Sequence, residues 1–184
     1  MSKIVSNILI ALLTLCFVNF ESIADSSLNE NDTSNETELN FFAGMFDFSD
    51  NKQSSGLVGL QHQNEELFRN SFLGKLSPIT GGFFTEKSAF YIYSGIQAEY
   101  KLGFLTITPS FAPGYYNYGN GKDLGHPLEF KSEIQMSFDL GESSHLGMSY
   151  NHISNASLGT KNPGANSYML NFLKQFDLAT ITLN

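Results

Sequence analysis

The chain is poor in the features that mark most familiar protein classes. Among 184 residues it has one cysteine, no tryptophan, five prolines and ten Lys plus Arg. A single cysteine excludes an internal disulfide and a thiolate metal cage, and no cofactor or metal is expected. Ten bases against 18 acids give a net charge of -8. That balance lacks the clustered positive charge that phosphate recognition requires, so nucleic acid is excluded as a partner. Charged residues make up 15% of the chain, below the roughly 25% typical of soluble domains, which argues against an ordinary cytosolic enzyme. A mean hydropathy of -0.13 excludes a bundle of membrane helices. It does not exclude a membrane barrel, whose polar interior dilutes the average.

What the chain does have is aromatic and apolar residues spread in a pattern. Phe occurs 17 times and Tyr 8 times, and 41% of residues are apolar. Residues 1–24 read as a secretory signal, with Lys3 at the positive end, an apolar run from Ile8 to Val18, and small residues at Ser22 and Ala24. The run is nearer 11 residues than the roughly 20 of a spanning anchor, so cleavage is favoured over a single membrane helix. Leu15 stands before Cys16 where a lipoprotein signal wants a small residue. Residues 25–39 are acidic, rich in Ser and Asn and without aromatics, a composition that cannot bury enough to order itself. From Asn40 onward there are 12 acids and 9 bases. Most of the acidity therefore belongs to this lead-in.

Beyond it, no window keeps a helical period; alternation recurs instead. Leu128, Phe130, Ile134, Met136 and Phe138 alternate with Glu129, Lys131, Glu133, Gln135, Ser137 and Asp139. Phe90, Ile92, Ile96, Ala98, Tyr100 and Leu102 alternate with Tyr91, Tyr93, Gln97, Glu99 and Lys101. The pattern predicts eight strands near 40–49, 54–64, 71–82, 88–101, 104–116, 127–139, 144–154 and 166–176. Turns at Leu102-Gly103 and Leu140 to Ser143 are tight, whereas 117–126 and 155–165 are long and polar. Short turns at one rim and long loops at the other point to an all-β, eight-stranded antiparallel transmembrane barrel of the bacterial outer membrane. The barrel is expected to occupy 40–176, with 177–184 as a C-terminal extension. A soluble β-sandwich or lipocalin-like binder is the remaining all-β alternative.

The segment that carries chemistry is Tyr150-Asn151-His152-Ile153-Ser154-Asn155-Ala156, followed by Asn162-Pro163-Gly164-Ala165-Asn166. His152 and Ser154, two apart on a strand, leave the same face. Parity puts them in line with Leu146, Met148 and Tyr150 on the lipid side. A serine beside an imidazole is the minimum for nucleophilic acyl transfer. On residue types alone, an ordinary pair of interfacial polar residues is the competing reading.

The joint spacing of His152-x-Ser154-Asn155-Ala156 and Asn162-Pro163-Gly164 resembles the signature of the lipid A 3-O-deacylases, the PagL family, and of relatives bearing the name acyloxyacyl hydrolase. The resemblance implies an outer-membrane hydrolase acting on lipopolysaccharide, removing a 3-linked acyl chain from lipid A. It implies Ser154 as nucleophile and His152 as general base. Asn162 then belongs to the oxyanion hole, with a backbone N–H around Ala156 and Ser157 as its mate. The family's third triad member, a glutamate two residues past the N-P-G, is here Asn166, and no acid lies between Glu142 and Asp177. Asn166 is expected to accept the imidazole N–H, as an amide does in Cys-His-Asn enzymes, but without charge to stabilise an imidazolium. A non-catalytic barrel with a degenerate site is the alternative function.

Other candidates read more plainly. His62, His126 and His145 are far apart and are expected at the rims or in the lumen. Gly119-Asn120-Gly121 reads as a surface loop. Tyr115, Tyr116 and Tyr118 are expected in an aromatic girdle near the outer rim. Phe176 fits the aromatic end of an outer-membrane barrel, and the residues after it read either as a periplasmic tail or as an extension of the last strand. Oligomeric state is not legible.

Overall fold

The computed structural model describes residues 36–50, 52–64, 69–71 and 74–177. The signal expected over 1–24, most of the lead-in and residues 178–184 lie outside the described residues. Among the described residues nine strands are formed: β1 (Glu36–Phe46), β2 (Ser55–Asn64), β3 (Arg69–Ser71), β4 (Gly74–Thr85), β5 (Phe90–Leu102), β6 (Leu105–Asn117), β7 (Leu128–Gly141), β8 (Ser144–Ser154) and β9 (Ala165–Asp177). Neighbours run antiparallel in the order β2-β1-β9-β8-β7-β6-β5-β4-β3, and β2 also pairs with β4. That last pairing closes the sheet into a barrel. The short β3 follows β2 along the same flank of β4, from Arg69↔Leu76 to Ser71↔Gly74, so nine segments make eight staves.

Two boundaries differ from those expected. β1 begins at Glu36 and takes in positions that composition assigned to the lead-in, because its partners reach that far: Thr37 pairs with Asn64 and Phe176. The third stave begins at Gly74 and runs to Thr85, where 71–82 was expected. Gly81 and Gly82 interrupt the alternation and made the strand look finished. It continues through Phe83, which is buried in the lumen, and Phe84, which faces outward.

The burial pattern is inverted relative to a soluble sandwich. On β7, Ile134, Met136, Phe138 and Leu140 are exposed outside, while Glu129, Lys131, Gln135 and Ser137 are buried inside. β8 and β9 repeat this, with Leu146, Met148, Leu170 and Phe172 outside and Ser149, Asn151, Ser167 and Asn171 inside. Apolar side chains left outward around a whole closed sheet need a hydrocarbon solvent; in water they would be an aggregation surface. No helix among the described residues is long and apolar enough to cross a membrane. The strands do the crossing.

The lumen is filled in two layers. Toward the long-loop rim Phe46, Phe83, Tyr91 and Tyr116 pack ring against ring at centroid separations of 5.7–6.5 Å. Below them lies a polar layer. Lys131 Nζ sits 3.2 Å from Glu133 and 4.0 Å from the centre of the Tyr93 ring. Asn40 donates to Gln135 at 3.0 Å and to Asn171 at 3.1 Å. At the short-turn rim a cavity of about 280 Å³ opens between Glu38, Glu99, Asp139 and His145. The eight-stave lumen is thus packed with side chains along most of its length, as barrels of this size require.

Candidate active site

Register brings the candidate residues together on the outer face. β8 and β9 pair with His152 opposite Asn166 and Tyr150 opposite Tyr168. β7 sets Phe130 opposite Ser154 and Ser132 opposite His152. His152 is exposed on the barrel exterior and Ser154 is half-buried two residues closer to the long loop. Asn166 Oδ1 lies 2.8 Å from His152 Nδ1. An amide oxygen only accepts, so this contact needs a hydrogen on Nδ1, which in the neutral ring leaves Nε2 its lone pair. No hydrogen bond joins Ser154 Oγ to the imidazole among the described residues. Such contacts are often long in the absence of substrate and tighten when it binds.

The loop after Ser154 is built around Asn155, whose side chain is fully buried. Its Nδ2 donates to the carbonyls of Leu124 at 2.7 Å and Lys161 at 2.9 Å. Its backbone N–H donates to Asn162 Oδ1 at 3.1 Å. With Oδ1 so engaged, the amide end of Asn162 is left to donate elsewhere. Leu158 N–H closes a turn onto Asn155 O at 2.9 Å. The two central residues of that turn, Ala156 and Ser157, have φ of 51° and 64°. Left-handed backbone at two successive non-glycine residues costs about 1–2 kcal/mol each, and the loop contacts must offset it. Strain of this kind collects where a backbone N–H has to be aimed.

Gly164 explains the glycine of the N-P-G run. Its φ is +60°, and a Cβ there would come within 2.8 Å of His152 Cε1 and 3.2 Å of Nε2. The chain therefore passes directly against the imidazole, where a Cβ fits only if the ring gives way.

A second loop braces the first. Asp123 pairs with Lys161 at 2.8 Å across the two long loops. The Lys161 hydrogen bond, with help from the Gly125 N–H, holds the Asp123 carboxyl below its ordinary range. Gly125, at φ +95°, lies so close that a Cβ would meet Lys161 O at 2.3 Å. Lys122 in turn reaches Asp47 at 2.7 Å, which ties the 118–127 loop to the turn after β1.

The remaining sequence candidates fall elsewhere. His62 bonds to Thr37, His126 Nδ1 accepts from Leu128 N–H at 3.0 Å, and His145 lines the cavity at the opposite rim. Tyr115 and Tyr118 are exposed, but Tyr116 turns inward and donates to Lys122 O at 2.9 Å. Parity decides this: neighbours on a strand face opposite sides, so Tyr115 and Tyr116 cannot both join a girdle. Gly121 N–H bonds to Tyr118 O at 2.6 Å in a surface turn. Sequence reasoning gave no role to Tyr150, Phe48 or Ser49. Tyr150 Oη donates to Asn166 Oδ1 at 2.9 Å, and Asn166 Nδ2 reaches Ser49 Oγ at 3.4 Å. For Phe48 and Ser49 no sequence signal exists, since they come from the far end of the chain.

Comparison with known proteins decides the family. The model of the lipid A 3-O-deacylase (PagL) family matches residues 55–175, which takes in most of the barrel and the whole His152–Asn166 segment. The chain belongs to the PagL family. Its fold is similar to the crystal structure of the outer membrane enzyme PagL, with a TM-score of 0.59 at 18% identity, over 74% of this chain and 98% of that one. It is similar also to a de novo designed transmembrane β-barrel, with a TM-score of 0.52 at 10% identity, over 79% and 98% of the two chains. No curated protein matches. The chain is thus a PagL-family barrel of the bacterial outer membrane, of the lipid A deacylase type.

Proposed function

We propose that the protein is a serine esterase of the outer leaflet that hydrolyses the ester holding the 3-linked acyl chain of lipid A. One observation carries this reading. A polar set, Ser154, His152 and Asn166, stands on the lipid-facing wall, with the His152–Asn166 contact formed at 2.8 Å. Apolar groups flank it, including the stacked Phe111 and Phe130 at 6.0 Å on one side and Tyr168 and Leu170 on the other. An acyl chain lies against such a wall without leaving the membrane, so the bilayer itself presents the substrate.

In the proposed reaction Ser154 Oγ attacks the ester carbonyl while His152 Nε2 takes its proton. Asn166 holds the ring through Nδ1–H. The oxyanion is met by the Asn162 amide and the backbone N–H at Ser157. A donor so placed is commonly worth roughly 3–4 kcal/mol of transition-state stabilisation. Collapse expels the sugar hydroxyl, which regains the proton from His152; water then releases the fatty acid by the same steps in reverse. No metal or cofactor enters this scheme.

Mass spectrometry of lipid A from cells expressing the protein or Ser154→Ala tests the reading. The variant is expected to lose the shortened lipid A through a fall in rate of about 10³-fold or more. Identical lipid A in both would sink it.

A second reading, a barrel that kept the site without turnover, is favoured by the neutral Asn166. Replacing a triad aspartate by asparagine costs about 10⁴-fold in a serine protease, through the wrong histidine tautomer. Asn166→Glu separates the two: deacylation that appears or rises in this variant alone shows that charge was the missing part.

A further inference from the structure

We propose that Tyr150 is a positioning residue which sets the tautomer of His152 by fixing which end of the Asn166 amide faces the imidazole. The proposal rests on the esterase reading of the same site. A carboxylate has two equivalent oxygens, so a triad acid needs no such device. An amide has two unlike ends. With Oδ1 toward His152, Nδ1 bears the hydrogen and Nε2 is free to accept from Ser154. With Nδ2 there, Nδ1 must accept, Nε2 carries the hydrogen, and the ring cannot take the serine proton. Asn166 alone does not choose between these states.

Tyr150 supplies the choice. Its Oη lies 2.9 Å from the same Oδ1 that faces Nδ1 at 2.8 Å. A phenol is a better donor than acceptor, because the ring withdraws the oxygen lone pair. Two donors therefore converge on one atom, and that atom is held as the oxygen. The other end of the amide points to Ser49 Oγ at 3.4 Å, near the limit of a hydrogen bond. The Tyr150 ring is itself held: Phe48 meets it edge-on at 6.3 Å and packs on Tyr168 at 5.2 Å. Phe48 is fixed in turn by its N–H on Asn166 O at 3.0 Å. All of this sits on the outer wall, at the long-loop end of β8 and β9.

The test reads the tautomer directly. In full-length protein extracted into detergent micelles and labelled with ¹⁵N-histidine, long-range ¹H–¹⁵N correlation reports which nitrogen of neutral His152 is protonated, its signal being identified by loss in His152→Gln. The wild-type protein is expected to show Nδ1–H, and Tyr150→Phe a shift toward Nε2–H. Wild-type protein in the Nε2–H form, or an unchanged tautomer in Tyr150→Phe, overturns the proposal. If Tyr150→Phe does not fold, as judged by heat-dependent gel mobility, the wild-type tautomer alone decides. Kinetically, Tyr150→Phe is expected to lower kcat about tenfold at little change in KM, the order expected for one neutral hydrogen bond. In an Asn166→Glu background the same substitution is expected to cost much less, since either carboxylate oxygen serves. An equal loss in both backgrounds overturns it. A wild-type protein without deacylase activity would count against the esterase reading, and the tautomer would still decide the role of Tyr150.

Discussion

The lumen and the outer wall of this barrel both carry polar side chains, and they handle them in opposite ways. Inside, Lys131, Glu133, Asn151, Gln61 and Tyr93 are linked to one another, Asn151 reaching Glu133 at 3.2 Å and Tyr93 reaching Gln61 at 2.9 Å. Buried polar groups without partners destabilise the fold, and these are largely linked to each other, Asn151 Oδ1 alone among them being left without one. They are bulk filling for a cylinder too narrow to hold water throughout. Outside, the wall is Phe, Leu, Ile and Met, and polar groups are few. At the long-loop end of β8 and β9 they include His152, Ser154, Asn166 and Tyr150, of which the Ser154 hydroxyl has no hydrogen bond among the described residues. A densely linked network buried in the lumen signals structure. A serine and an imidazole turned outward, where a lipid ester would lie, are what the proposed chemistry requires.

The largest effect separating the two regions is expected from Lys131→Met. Lys131 is 2% exposed and its removal strands Glu133 beside the buried Tyr93. Breaking a buried ion pair on one side costs about 3–5 kcal/mol. Denaturant unfolding in micelles should show that loss, with deacylation per folded molecule unchanged. An equal stability and a lost activity would mean that lumen and wall are coupled, and the distinction drawn above would fail.

Gly164→Ala should do the reverse. The added methyl would stand 2.8 Å from His152 Cε1, on a backbone at φ +60° that costs a non-glycine residue about 1–2 kcal/mol. The barrel strands lose no contact, so the native gel mobility should persist while deacylation falls. Rotation of the imidazole away from Asn166 is the expected cause, and the His152 tautomer signal would report it. A variant with normal turnover would show that the ring has room that the geometry denies.

The architecture was legible because alternation is a strong signal when it recurs along the whole chain. The strand boundaries it predicts for β7 and β8 lie within two residues of those observed. It weakened at Gly81-Gly82, where small residues carry no face, and at 36–39, where strand pairing rather than composition orders the chain. Of the site, the motif spacing pointed to His152, Ser154, Asn162 and Gly164, and the resemblance pointed to Asn166 as the partner of His152. Parity also misled no one about Tyr150: it placed the ring on the lipid wall and stopped there. What it lacked was the cross-strand distance that turns a wall residue into a partner of Asn166. Ser49 and Phe48 were beyond reach, since the closure of β9 on β1 brings the two ends of the barrel together and no local pattern reports it. Tyr116 shows the limit from the other side. Composition grouped three tyrosines as a girdle, and the period of two splits them.

The smallest expected effect concerns the loops that carry the proposed oxyanion donors. Asp123 and Lys161 join the two long loops at 2.8 Å, and the Asp123 carboxyl is held below its ordinary range by that hydrogen bond and by the Gly125 N–H. A carboxyl depressed in the folded state contributes stability that is present above its unfolded pKa, about 3.9, and is lost as pH falls through its folded value. The brace is therefore complete at neutral pH and released only in acid. Both partners are largely exposed, so its worth is small. Hydrogen exchange can still resolve it, because the Asn155 N–H that bonds to Asn162 Oδ1 lies in the braced loop. Protection of that amide, corrected for intrinsic exchange, should fall in the wild-type protein as pH drops below about 4. In Asp123→Asn it should be lower at neutral pH and flat across the same range. Protection that is high and flat in both proteins would show that Asn155, through its bonds to Leu124 O and Lys161 O, holds the loop without help. The site would then be as rigid as the lumen beneath it, and the contrast between the two regions would be one of chemistry alone.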